Sequence, residues 1–172
     1  MQVKSVEAIV CALNSAGIRY LIVGGLAVNA HGFERMTKNI DLVVQLDENN
    51  CFSALRSLIE IGYQLAIPEP PEHFANPEMR NMWRKEKNMI VLKLWSDVHR
   101  RTPVDIFVYE PFPFDEEYSR SVSLEVADGV FTRFVSLETL VSMKREAGRP
   151  QDFEDIAELE RCQRISDETD HT

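Results

Sequence analysis

The sequence predicts an α/β domain of the loose, α+β kind, a mixed β-sheet with helices packed on it and a C-terminal helical segment. Three observations lead there. Short β-type runs alternate with helical patterns along most of the chain. The run Asp41–Leu46 is almost continuously apolar, as a strand is when both faces of its sheet are covered, which places it centrally. Asp128-Gly129, between the β-type runs Val122–Val126 and Val130–Val135, is a strong hairpin signal and makes the sheet partly antiparallel.

Taken in order, Val3 to Ser15 is helical, because Val3, Val6, Ile9, Val10 and Leu13 recur at three- and four-residue spacing. Gly17 stops it. Arg19–Val23 is a strand ended by Gly24-Gly25, and Leu26–His31 is a short helix closed by Gly32. After the central strand, Asp47 caps a helix to about Ile61 with Phe52, Leu55, Leu58 and Ile59 on its apolar side. Tyr63–Ile67 is a short strand. Pro68 to Pro77 holds four prolines without periodicity and reads as a loop. Met79–Lys87 is ambiguous. Asn88 turns the chain into a strand over Met89–Trp95, and Ser96–Pro103 is a polar connection to the strand Val104–Tyr109. Pro111 and Pro113 break that strand, and a short helix is expected around Asp115–Ser119. After the hairpin, Ser136 caps a helix that Gly148 ends, and Pro150 opens another that runs to about Cys162. Residues 1–165 form one expected domain with its C-terminal helices over 136–165. The polar, acidic tail 166–172 is expected to be disordered.

The chain has 172 residues, 44% apolar, enough to bury a core. Its net charge of −9 argues against bulk electrostatic coating of nucleic acid, while leaving room for a local basic patch. The three cysteines, Cys11, Cys51 and Cys162, have no metal spacing and are expected as reduced, buried thiols. The N-terminus reads as an amphipathic helix without a cleavable apolar stretch, and no run is long enough to span a bilayer. A soluble, cytoplasmic protein with no membrane partner is expected.

Four groups of residues can carry chemistry. Gly24-Gly25 lets a backbone approach a ligand, although many strand-to-helix turns use glycine for packing alone. Asn39 and Asp41, two apart on a strand, share a face. They are either a polar pair at a strand edge or an oxygen-donor pair for Mg²⁺. Asp105 intrudes into the apolar run Val104–Val108, and a carboxylate there needs a partner. It either joins Asp41 in a divalent-metal site or pairs with Arg19, Arg35 or Lys93. Lys144, Arg145, Arg149 and Asp152 surround a helix–turn–helix junction. Helix dipoles explain them, and phosphate contact by Lys144 and Arg149 is the alternative. Arg35, Thr37 and Lys38 can also meet phosphates. Lys85, Lys87, His99, Arg100 and Arg101 can form a local basic edge, with solvated surface as the default. His31 lacks a Cys or His partner and reads as structural.

Together, Gly24-Gly25 and Arg35-x-Thr37-x-Asn39-Ile40-Asp41 resemble the signature of the nucleotidyltransferase superfamily with the DNA polymerase β-like fold. More narrowly they resemble the small prokaryotic group that includes AbiEii-type toxins. There GG or GS precedes R-x-T-x-D-h-D (h, hydrophobic), and a third aspartate lies on a later strand. Val104-Asp105-Ile106 matches the third position. Lys144 with Gly148-Arg149-x-x-Asp152-x-x-Asp155-Ile156 resembles the group's C-terminal motif. The resemblance runs from about Tyr20 to Leu159.

It implies a nucleotidyltransferase-like sheet and Mg²⁺-dependent (or Mn²⁺-dependent) transfer of a nucleoside monophosphate from an NTP to an acceptor, an RNA end or a protein. By position Asp41 and Asp105 would be metal ligands. Asn39, Asp41 and Asp105 would form the catalytic set. Gly24, Gly25, Arg35, Thr37, Lys144, Arg149 and Asp152 would form the nucleotide site. The toxin-like grouping also implies an antitoxin-type protein partner. This chain departs at Asn39, an amide where the group has its first aspartate. Asn can offer a neutral oxygen to a metal but brings one negative charge less. Three readings follow: a slow or single-metal enzyme, a nucleotide-binding protein without catalysis, or a partner-binding module.

Overall fold

The apolar run that needed cover on both faces lies at the centre of a seven-stranded sheet. The computed structural model describes residues 1–169. Helix α1 (Val3–Ser15) leads into β1 (Tyr20–Val23), α2 (Gly24–Ala30), β2 (Ile40–Val44) and α3 (Glu48–Glu60). Then come β3 (Tyr63–Leu65), α4 (Glu72–Ala75), α5 (Pro77–Lys87), β4 (Val91–Ser96) and β5 (Val104–Phe107). The chain continues through α6 (Phe114–Arg120), β6 (Val122–Ala127), β7 (Val130–Phe134), α7 (Leu137–Ala147) and α8 (Pro150–Thr169).

The strand order is β3-β4-β5-β2-β1-β7-β6. β2 runs antiparallel to β1 and parallel to β5. β7 runs parallel to β1, and the β6–β7 hairpin turns through Asp128-Gly129 as expected. The sheet is therefore mixed. Ile40, Leu42, Val43 and Val44 are fully buried, which is the cover their apolar run demanded. Helix α3 packs on β2 and β3, α2 on β1 and β2, and α7 on α2 and α8.

Local chemistry sets the element ends. Asp47 Oδ1 accepts from Asn50 N at 3.1 Å and starts α3, and Ser136 Oγ accepts from Thr139 N at 3.3 Å and starts α7. Gly148, at φ +63, closes α7. The ambiguous Met79–Lys87 segment is helical because Asn76 caps it, Pro77 is suited to the first turn, and Asn88 ends it in the left-handed region at φ 49. One turn, α4, forms inside the proline segment expected as loop. Gly24-Gly25 opens α2 instead of preceding it.

Helix α8 continues past Cys162 to Thr169, since no Gly or Pro follows Pro150 to stop it. Residues 170–172 of the expected tail lie outside the described residues. Cys51 is buried as expected, but Cys11 is exposed because it falls on the outer side of α1. Among the described residues no helix is long and apolar enough to cross a membrane.

Candidate active site at the centre of the sheet

The parallel register of β2 and β5 sets Asp41 directly beside Asp105. Side chains paired in this way point to the same face. Asn39, two residues before Asp41, comes to the same place. Its Nδ2 donates to Asp41 Oδ1 and to Asp105 Oδ2, both at 2.9 Å. The amide thus turns its NH₂ to the carboxylates, where a metal ligand would have to present its oxygen.

Lys93, opposite Asp105 on β4, donates from Nζ to Asp105 Oδ2 at 3.2 Å. Of the three cations considered for Asp105, Lys93 is the partner. Arg19 pairs with Asp115 and Arg35 with Asp155. The Asp41 carboxyl is pushed up from 3.8 to about 6, by burial first and then by the negative charge of Asp105. The Asn39 hydrogen bond and the charges of Lys144 and Arg149 pull it down by less.

The glycine pair is explained by what it faces. Gly24 sits at φ +67, and a Cβ there would lie 2.1 Å from Asp41 Oδ2. A Cβ on Gly25 would lie 2.6 Å from Thr37 Oγ1. Only glycine leaves room for the Asp41 carboxylate and the Thr37 hydroxyl. Thr37 Oγ1 in turn donates to Asn39 O at 3.3 Å. Asn29 braces the same connection, donating to Arg35 O at 3.0 Å and accepting from Arg35 N at 3.1 Å. Sequence reading missed Asn29. Its one signal is an asparagine in the last turn of a short helix.

Behind this connection lies a buried charge cluster. Lys144 is 5% exposed, and its Nζ donates to Asp152 Oδ1 at 2.9 Å and Asp155 Oδ2 at 2.6 Å. Arg35 Nη2 reaches Asp155 Oδ2 at 2.9 Å. Arg149 Nε reaches Asp152 Oδ2 at 2.7 Å, while its side chain remains 73% exposed. Burial raises the Asp152 carboxyl, but hydrogen bonds from Arg149 and Lys144 and the Lys144 charge outweigh it and hold the group at about 2. The cluster ties the approach to β2 to both C-terminal helices. Asp155, quoted in the sequence motif without a role, is its hub.

A cleft of about 480 Å³ opens beside Asn39 and Asp105. Lys38, Lys93 and Arg149 give it positive charge, and Leu94, Trp95 and Pro103 give it an apolar wall. A smaller cavity of about 280 Å³, lined by Leu46, Arg80 and Tyr109 among others, includes neither aspartate. The expected basic edge is divided: Lys87 pairs with Glu69, Arg100 with Asp97, and His99 stacks on Tyr63. His31 Nε2 lies 2.8 Å from Val135 O, a structural role as expected.

Among the described residues no three His, Cys, Asp or Glu side chains are grouped to hold a metal ion. The donor set is two carboxylates, because the Asn39 amide presents its NH₂ rather than its oxygen. Mg²⁺ commonly takes one or two carboxylates and completes its shell with substrate phosphates and water. The set therefore fits one such ion.

No known family model matches the sequence, and no curated protein matches it. Solved structures do resemble it. A lincosamide antibiotic adenylyltransferase, LnuA, bound to lincomycin, superposes with a TM-score of 0.60 at 15% identity, over 91% of this chain and 95% of that one. An antigenic nucleotidyltransferase-like protein from Paracoccidioides brasiliensis gives 0.54 at 19% identity, over 91% of this chain and 74% of that one. At such identities the likeness speaks to architecture, and with the seven-stranded mixed sheet it establishes that this chain has a nucleotidyltransferase-like fold.

Proposed function

We propose that the chain transfers a nucleoside monophosphate from an NTP to an acceptor hydroxyl and releases pyrophosphate. The observation that carries this reading is the register pairing of Asp41, packed against Gly24, with Asp105, which lines a cleft that also holds three cations. Asp41 and Asp105 would hold one Mg²⁺ or Mn²⁺, which neutralises charge on the transferred phosphate and polarises it. Lys38, Lys93 and Arg149 offset the charge of the triphosphate. Asp105 faces the cleft and accepts the acceptor's hydroxyl proton as its oxygen bonds to the α-phosphorus. The bond from that phosphorus to the β-phosphate oxygen breaks, and pyrophosphate leaves.

Lys144 acts at one remove. It fixes Asp152 and Asp155, which orient Arg149 and Arg35. The narrower grouping with AbiEii-type toxins, and with it an antitoxin-type partner, rests on the sequence motifs alone: Gly24-Gly25, the Arg35–Asp41 segment, Asp105 and the C-terminal motif.

A small-molecule acceptor suits the cleft better than an RNA end or a protein. The net charge of −9 disfavours a long polyanion such as RNA as the acceptor. One structural neighbour acts on a lincosamide antibiotic. A second reading, nucleotide or partner binding without catalysis, is favoured by Asn39 alone. The test is incubation with Mg²⁺ and each NTP labelled at the α-phosphate, against panels of hydroxylated small molecules, RNA and protein. Label transfer with stoichiometric pyrophosphate, lost in Asp105→Ala, supports the enzyme. NTP binding without transfer to any acceptor replaces it with the second reading.

A further inference from the structure

Asn39 stands where the resemblance expects a ligand, yet it does the opposite of ligating. Its Nδ2 is 2.9 Å from Asp41 Oδ1 and 2.9 Å from Asp105 Oδ2. Only the NH₂ of an amide can donate to two carboxylates at once. A cation held by the same two carboxylates would need the oxygen lone pairs that this NH₂ now occupies. The NH₂ and the cation therefore compete for one position. Thr37 Oγ1 donates to the backbone carbonyl of Asn39 and fixes the chain at this residue, and Lys93 shares Asp105 Oδ2 with the amide.

We infer that Asn39 is a resident stand-in for the divalent cation. It keeps two like-charged carboxylates together in the resting protein and must be displaced when the cation enters. This rests on the metal site of the proposed function and adds a sign to it. If Asn39 were an ordinary oxygen ligand, removing it would weaken the cation. If it is a competitor, removing it strengthens the cation, because an opposing hydrogen-bond pair is lost and the carboxylate repulsion is left for the cation to relieve.

The experiment measures Mn²⁺ binding, without nucleotide, from the electron paramagnetic resonance signal of free Mn²⁺, with Mg²⁺ as competitor. Wild type, Asn39→Ala, Asn39→Ser and Asn39→Asp are compared after each is shown folded by its thermal melt. Two short side chains, Ala and Ser, guard against one variant failing to fold, since neither can span both carboxylates. Binding is assigned to this site by its loss when Asp41→Asn is added to each background.

The expected result is tighter Mn²⁺ binding in Asn39→Ala and Asn39→Ser than in wild type, by about tenfold for the loss of charge-assisted hydrogen bonds. Asn39→Asp binds tighter still, as its added charge requires. Unchanged or weaker binding in Asn39→Ala and Asn39→Ser, with Mn²⁺ still bound by wild type, overturns the stand-in and leaves the metal site intact. Absence of Mn²⁺ binding in every form, Asn39→Asp included, removes the metal site and this inference with it.

Discussion

Asp41→Asn should make the protein more stable while removing the proposed cation site. In the folded protein the Asp41 carboxyl is pushed from 3.8 up to about 6, chiefly by burial and by Asp105 at its side. That displacement corresponds to about 3 kcal/mol against the charged form, and the part still open to water trims it to about 1–3 kcal/mol. A group whose pKa is raised by folding favours the folded state fully below its unfolded value, and that contribution is lost as pH rises through the folded value. Wild type therefore loses stability from about pH 4 to pH 7 at this residue. The amide introduced by Asp41→Asn carries no charge, and its oxygen can still accept from Asn39 Nδ2. The assay is thermal melting of both proteins in EDTA from about pH 4 to 8. The variant should melt higher above about pH 7 by roughly 2–12 °C, taking about 2–4 °C per kcal/mol for a chain of this length. The gap should close toward pH 4. A variant no more stable than wild type at about pH 7.5, or a gap independent of pH, refutes the reasoning.

Three further outcomes follow from the geometry. Lys144→Met removes the buried cation shared by two buried carboxylates, leaving each only its arginine, and should cost about 3 kcal/mol in urea unfolding, whereas exposed Arg149→Met should cost far less stability and instead weaken NTP binding. Gly24→Ala sets a Cβ against Asp41 Oδ2 and should destabilise by more than the backbone strain alone. Gly17→Ala, also at φ +67 but with open space, should show only that strain of about 1–2 kcal/mol, and equal costs at the two positions would count against the packing role of Gly24. Asp152, held at about 2 in the fold, stabilises above its ordinary value of 3.8. Its contribution should fade as pH falls from about 5 toward 2, so acid unfolding of Asp152→Asn should be less steep over that window, and identical acid profiles would contradict it.

The strands and helices were legible where periodicity and punctuation agreed. Val3–Ser15 was read with its observed bounds, and Asp47, Ser136 and Gly148 marked ends the structure keeps. The central place of β2 was legible because a strand covered on both faces has no polar alternation to lose. Helix α5 was not, because its inward residues, Arg80 and Trp83, are not an apolar stripe. The neighbourhood of Asp41 and Asp105 was anticipated, since an aspartate in an apolar strand demands a partner. What could not be read was direction. A sequence names Asn39 but does not say whether its oxygen or its NH₂ faces the carboxylates, which depends on the register of β2 against β5. Nor could it say that Lys144 and Asp155 would be buried together, because that depends on how α8 folds back on α7.

The most direct test of the nucleotide site is a thermal shift against all four NTPs with Mg²⁺ or Mn²⁺, on wild type and Asp105→Ala. A bound nucleotide–metal pair at about a hundred times its Kd adds about 2.7 kcal/mol, roughly 5–10 °C for a chain of this size. The predicted result is such a rise in wild type for at least one NTP, dependent on the cation and absent in Asp105→Ala. No rise with any NTP at high excess, in either cation, would contradict the nucleotide site altogether.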